Sequence, residues 1–290
     1  MTRRSTPRLA LCTVALVGVV AALVGCTTQT KVALPAQNIA RWVMPLDRFF
    51  DADDVATNYA EILLMGSCMT DAGFIWDVPW TDPHAGNKVT ASEVGIRIFN
   101  VDIAKEFGYR SAPNQDRGAA AWTAWAYRER GGAEVAAIER CTLEVRKSEL
   151  PLLPGSAQLG NSLVAAAYDA AEQDGAVGAA AKGWRSCMGD VGIPDLPSTP
   201  NQMPSRWLSK LLNLGDPHGV PSAEEIRYAT KDATCRDSSG YIDTFYQVLW
   251  DKEAVLVQDN ADALLRIEVM VTKHREKVAD IISRNAPPAP

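Results

Sequence analysis

The chain has 290 residues, enough for two ordinary domains or one large one, and 47% of them are apolar against 22% charged. That balance excludes a disordered tail, because a core of useful size can be buried. A formal charge of −6 excludes electrostatic binding to nucleic acid, which needs a basic face.

Residues 1–25 read as a signal peptide. Arg3, Arg4 and Arg8 form a positive start, and the stretch from Leu9 to Gly25 is apolar or small, interrupted mildly by Cys12 and Thr13. It closes on Leu23-Val24-Gly25-Cys26, the pattern of a bacterial lipobox. In such signals the Cys thiolate takes a diacylglycerol and the chain is cut before it. Cys26 is therefore the expected lipidation site and new first residue. The three arginines leave with the signal and no acidic residue does, which takes the charge from −6 to −9. Acyl chains at about 0.8 kcal/mol per buried methylene hold such a protein on its membrane. The expected place is the outer face of the cytoplasmic membrane, with residues 26–40 as a tether.

Cys68, Cys141, Cys187 and Cys235 remain after processing. An exported chain meets oxidising conditions, where an even number of cysteines pairs by default. The spacing lacks the short ligand intervals of a zinc site, and a nucleophilic thiol would have to be free. No metal or other cofactor is expected.

An ordered repeat organises the rest into a first unit, 41–150, and a second, 155–240. Residues 66–73 read Gly-Ser-Cys-Met-Thr-Asp-Ala-Gly and residues 185–192 read Arg-Ser-Cys-Met-Gly-Asp-Val-Gly. Downstream, Asp82-Pro83-His84 recurs as Asp216-Pro217-His218, Arg97 has its counterpart in Arg227, and Gly108-Tyr109 in Gly240-Tyr241. Of the three pairings that four cysteines allow, the repeat favours Cys68–Cys141 and Cys187–Cys235.

Within the first unit, apolar spacing predicts a helix over 52–71, ended by Gly73, and a second over about 117–146, carrying Trp122 and Trp125 and weakened at Gly131-Gly132. A loop with Trp76, Pro79, Trp80 and Pro83 lies between them. Pro151 and Pro154 mark the boundary between the units. In the second unit a helix is predicted over 162–190, ended by Gly192, followed by a loop with Pro194, Pro197, Pro200, Pro204 and Trp207. A helix then starts at Ser222 with a capping box to Glu225. No sustained alternation predicts strands.

Residues 241–285 contain no Pro or Gly and carry an apolar stripe from Ile242 through Tyr246, Leu249, Leu256, Leu264, Ile267, Val271 and Val278 to Ile281. Glu253, Asn260 and His274 fill the polar positions in it. An unbroken helix here would run about 66 Å, so part of it is expected to project or fold back. Residues 286–290 are expected to be a disordered tail.

The arrangement resembles secreted lipoproteins of actinobacteria that combine a lipobox with repeated Cys-Met-x-x-x-Gly units, a Trp/Pro loop, a capped helix bearing a Cys and a long final helix. The resemblance covers most of residues 55–270. It implies an envelope location and a helical, disulfide-held fold, and it implies no activity.

The fold expected is therefore mostly α, two related helical units held by disulfides, with a long C-terminal helix and Trp/Pro-rich loops. No catalytic signature is present. Asp71 and Asp190, unfavourable at helix C-termini, are expected to be offset by Arg97 and Arg227. The ligand-binding candidates are Trp76, Trp80, His84, Trp207 and His218, because aromatic rings on rigid loops suit sugars, flat molecules or peptides. The leading functional reading is a non-enzymatic binding or adaptor module of the cell envelope, docking an envelope protein through 241–285. The alternatives are a small-molecule or peptide binder, serving a transporter or sequestering an antibiotic, and a cell-wall hydrolase, which needs two carboxylates facing across a cleft.

Overall fold

Helical spacing without alternation gives helices, and eleven α-helices make up the regular structure of the described residues in the computed structural model. It describes residues 31–49, 54–83, 99–110, 118–153, 156–216 and 219–290. The signal peptide, Cys26, His84, Arg97 and His218 lie outside them. The described residues contain no strand, only an isolated bridge between Asn38 and Val43. None of their helices is long and apolar enough to cross a membrane.

The chain runs α1 (Asp54–Leu64), α2 (Gly66–Asp71), α3 (Val101–Phe107), α4 (Ala119–Ala126), α5 (Gly132–Ser148), α6 (Ser156–Glu172), α7 (Gly175–Met188), α8 (Arg206–Leu211), α9 (Ala223–Ser238), α10 (Tyr241–Asp259) and α11 (Ala261–Asn285). Several expected helices are divided. The first bends at Met65 into α1 and α2. The second breaks over residues 127–131, wider than the two glycines suggested. The third ends and restarts at Asp174, whose side chain accepts the Ala176 amide as an N-cap ahead of Gly175. Trp207 lies on α8 and not in the preceding loop.

Both Cys-Met segments end alike. Gly73 and Gly192 adopt φ of +84° and +78°, the left-handed turn that a glycine takes without strain. The bridges are Cys68–Cys141, from α2 to α5, and Cys187–Cys235, from α7 to α9, with Cα–Cα distances of 5.8 and 5.6 Å. Asp71 and Asp190 are exposed. Arg227 pairs with Glu224 at 3.7 Å rather than offsetting Asp190.

The two halves of the sequence are interleaved. Phe99, Ile103 and Tyr109, around α3, pack with Trp184, Leu208 and Tyr228 of α7, α8 and α9. Conversely, Val278, Ile281 and Ile282 of α11 close the core formed by α1, α2 and α5. Half of the capping box explains the first exchange. Ser222 Oγ accepts the Glu225 amide at 3.1 Å, as expected. The Glu225 carboxylate does not return to Ser222. It is fully buried, accepts the Tyr109 amide and Arg110 Nε, each at 3.0 Å, and so fastens α9 to the end of α3.

The last two helices neither project nor fold back. They form a spine through three cores: Tyr241, Phe245 and Leu249 against α6 and α7, Val257, Leu264 and Ile267 against the N-terminal segment, and Val278 to Ile282 against α1. The polar stripe positions are used inside the chain. Glu253 Oε2 accepts the Leu46 amide at 3.0 Å, Asn260 marks the break and bonds the Leu256 carbonyl at 2.8 Å, and His274 Nε2 is 3.4 Å from Thr57 Oγ1. Residues 31–40, expected as tether, are docked on α10. Gln258 bonds the Val32 amide and carbonyl at 3.2 and 2.8 Å, and Tyr246 Oη accepts the Asn38 amide at 2.8 Å. Past α11, Ala286 still packs on the first core.

Candidate functional site: a tryptophan cleft

Helical period puts chemistry of one kind on facing surfaces of α1, α4 and α5. Asn58, Glu61, Ile62 and Met65 are spaced three and four apart and share one face of α1 and its C-terminal turn. Ile138, Thr142 and Arg146 share one face of α5, and Trp122, Trp125 and Ala126 one face of α4. These faces, with Trp76 from the loop after α2, line a cleft of about 470 Å³, within the range of small-ligand sites. The Cys68–Cys141 bridge, one residue from Thr142, ties α5 to α2, the short helix that follows the α1 wall.

The aromatic wall is fixed from several sides. The Trp76 indole N–H donates to the Ile62 carbonyl at 2.9 Å, near the end of α1 where carbonyls lose helical partners. Trp76 meets Trp125 edge-on, with centroids 5.0 Å apart, and Trp122 and Trp125 stack at 5.4 Å. Trp122 in turn abuts the buried Tyr59 ring. Arg130 lies 5.1 Å above Trp125 and donates to the carbonyls of Ala126 and Trp125 at 2.7 and 2.9 Å, closing the C-terminus of α4. The three indoles are only partly covered, and Tyr127 beside them is 85% exposed.

The polar side of the cleft is held as firmly. Arg146 grips Glu61 as a fork, Nε to Oε1 at 2.8 Å and Nη2 to Oε2 at 3.1 Å. Beyond Trp125, Arg128 pairs with Glu134, which also approaches Arg130 Nε at 3.7 Å. Burial, then neighbouring Arg128, lowers the Arg130 pKa from its ordinary value, and Glu134 works against that shift. No group of three or more potential metal ligands occurs among the described residues.

Of the candidates named from sequence, Trp76 lines this cleft. Trp80 is half-buried and does not. It packs on Gly118, where an added Cβ would sit 2.4 Å from the Trp80 carbonyl. Trp207, on α8, is 37% exposed, with its amide donating to Asp195 at 2.9 Å. Sequence reasoning did not single out Trp122, Trp125, Tyr127, Glu61 or Arg146. The available signal was two tryptophans three residues apart on one short helix, followed at once by Tyr127, Arg128 and Arg130.

A second concavity, of about 370 Å³, lies where α3, α9 and α10 meet, with Asp102, Asp237 and Asp243 on its lining. Its aromatic residues, Trp42 and Phe99, are sunk to 3% and 2% exposure, and Arg236 there is engaged by Asp232 and the Pro200 carbonyl. It offers a ligand less aromatic surface than the tryptophan cleft.

Comparison of the chain with protein-family models, with curated proteins and with solved structures found no match in any of the three.

Proposed function

We propose that this chain is a lipoprotein, anchored through Cys26 to the outer face of the cytoplasmic membrane, and that its folded body is a non-enzymatic binding module working through the tryptophan cleft. The cleft carries this reading. It is a preformed, partly exposed aromatic wall opposite fixed polar groups, the combination that orients a small ligand. The alternative of docking a protein through the apolar stripe of 241–285 has less support, because Leu249, Leu264, Ile267, Val271, Val278 and Ile281 are spent on the chain's own cores. That leaves the outward face of the spine, where Val255 and Val269 are exposed, for a partner. The hydrolase alternative needs opposed carboxylates, whereas among the described residues the one carboxylate lining the cleft, Glu61, is held by Arg146.

Radioactive palmitate should label the wild type and not Cys26→Ala; equal labelling removes the anchor. For the cleft, the purified body is incubated with a small-molecule extract of the envelope and examined by native mass spectrometry. A retained mass that disappears in Tyr127→Ala is the expected result, and identical spectra for the two proteins discard the binding reading.

A further inference from the structure

We propose that the occupant of the tryptophan cleft is an uncharged oligosaccharide, an assignment that rests on reading the cleft as a binding site. The first argument is charge. The ionised side chains lining the cleft are engaged within the protein, apart from Arg130 Nε, which is buried without a hydrogen bond. Glu61 is forked by Arg146, and Arg130 spends two donors on backbone carbonyls and lies 3.7 Å from Glu134. An anion has to compete with Glu61 for Arg146, and a cation has to compete with Arg146 for Glu61. A neutral ligand leaves both pairs intact.

The second argument is the division of surfaces. Trp122 and Trp125 stack within 29° of parallel, and Trp76 stands at 78° to Trp125, making a corner of indole faces and edges. Across from it are the Asn58 amide, the Glu61 carboxylate and the Thr142 hydroxyl. A pyranose has the matching division, with C–H bonds on one face and hydroxyls around its rim. Each Glu61 oxygen that accepts from Arg146 keeps a lone pair for a sugar hydroxyl. A flat aromatic ligand would cover the indoles but make no use of the Asn58 amide or of the lone pairs that Glu61 keeps free.

The third argument is length. Trp125 also lines a neighbouring concavity of about 350 Å³, with Phe74, Ile75, Asp77, Arg128 and Glu134. Its charges include another internal pair, Arg128 with Glu134, and its rim exposes Ile75 to 79%. Trp125 is thus a ridge between two concavities, a form suited to successive units of a chain rather than to one small molecule.

The test is saturation-transfer NMR and calorimetry on the full folded body, with tetramers of glucose, mannose, galactose, arabinose and N-acetylglucosamine as neutral probes. Tetramers of galacturonic acid and glucosamine serve as charged probes, and coumarin as a flat aromatic one. At least one neutral tetramer should bind, more tightly than either charged tetramer. Trp125→Ala and the exposed Tyr127→Ala should each weaken it about tenfold, a change of about 1.4 kcal/mol, while Trp207→Ala leaves it unchanged. Coumarin binding that depends on Trp125, with no neutral sugar bound, overturns the saccharide assignment and leaves the cleft as a binding site. Sugar binding indifferent to both cleft substitutions overturns it as well. No binding of any probe removes the assignment and the binding reading together.

Discussion

Arg236 Nε lies 2.8 Å from Asp232 Oδ1, and the two side chains are 1% and 0% exposed. Around this ion pair the Asp232 carboxylate also accepts the Trp184 indole N–H at 2.8 Å and the Tyr109 hydroxyl at 3.3 Å, while Arg236 Nη2 reaches the Pro200 carbonyl at 2.6 Å. One carboxylate thereby joins α7, α9 and the segment after α3. Asp232→Ala leaves a buried cation without its counter-ion and two donors without a partner, and should lower unfolding free energy by roughly 3–5 kcal/mol in urea titrations. The double change Asp232→Leu with Arg236→Met should cost less than the two single changes combined, because neither charge remains buried alone. Strict additivity would show that the pair is not coupled.

Gly108 is a second joint between the halves. Its φ is +62°, and an added Cβ would lie 2.6 Å from Glu225 Oε1, the atom that accepts the Tyr109 amide. Gly108→Ala should therefore cost about 1–3 kcal/mol from the backbone alone, because φ +62° with ψ −127° is a conformation that glycine takes and other residues resist, with a further loss as Glu225 is displaced. Gly189 is the control. Its φ is −57° and nothing stands within 4 Å of its Cβ position, so Gly189→Ala should be neutral or mildly stabilising. Equal thermal shifts for the two variants would contradict this account.

The bridges close loops with sequence separations of 73 and 48 residues. In the chain-entropy model, each contributes up to about 4 kcal/mol by restricting the unfolded chain. Thiol titration of the denatured, unreduced protein should find none of these four cysteines free. Replacing Cys68 and Cys141 together by alanine should lower the melting temperature and loosen the α5 wall of the cleft, seen as faster amide exchange around Thr142. An unchanged exchange pattern would mean that packing alone holds that wall.

Alkaline pH should act through buried phenols. Burial, and then the Asp232 carboxylate, raises the Tyr109 pKa well above its ordinary value, and burial followed by Glu172 raises that of Tyr168 to about 12. Tyr241 is also raised, by burial first. The unfolded chain loses these protons near pH 10, before the folded one does, so stability is unaffected below pH 10 and falls as pH rises above it. Tyrosinate absorbance and loss of helical circular dichroism should rise together in that range. The two Gly-Tyr tyrosines should respond differently to truncation. Tyr241 Oη is buried without a hydrogen-bond partner, so Tyr241→Phe should add about 1 kcal/mol. Tyr109→Phe removes a donor from Asp232 and should destabilise.

Much of the local structure is legible in the sequence. Apolar spacing marks the longer helices of both halves but not the short α3 and α8, Ser222 caps α9, Gly73 and Gly192 take the left-handed turns, and four cysteines pair as the repeat suggests. Trp76, which lines the cleft, is legible as a candidate because Pro and Trp on a short loop stand out by composition. Trp122 and Trp125 are not, since on a helix a tryptophan three residues from another reads equally well as core. The polar interruptions Glu253, Asn260 and His274 are visible as irregular, but their partners lie some 200 residues away, at Leu46 and Thr57, or within the same turn, at Leu256.

What the sequence determined by itself is therefore whatever rests on neighbours within a few residues: period, caps, turns and the even sulfur count. The tertiary structure alone decided that α3 joins the second half, that α11 closes the first, that the stripe faces inward and that three indoles share one cleft. The physical reason is that a helix's apolar face specifies burial without naming its cover, since hydrophobic attraction carries no direction. The directional groups, Glu225 on Tyr109 and Glu253 on Leu46, choose among the covers, and they do so only once the chain has brought them together.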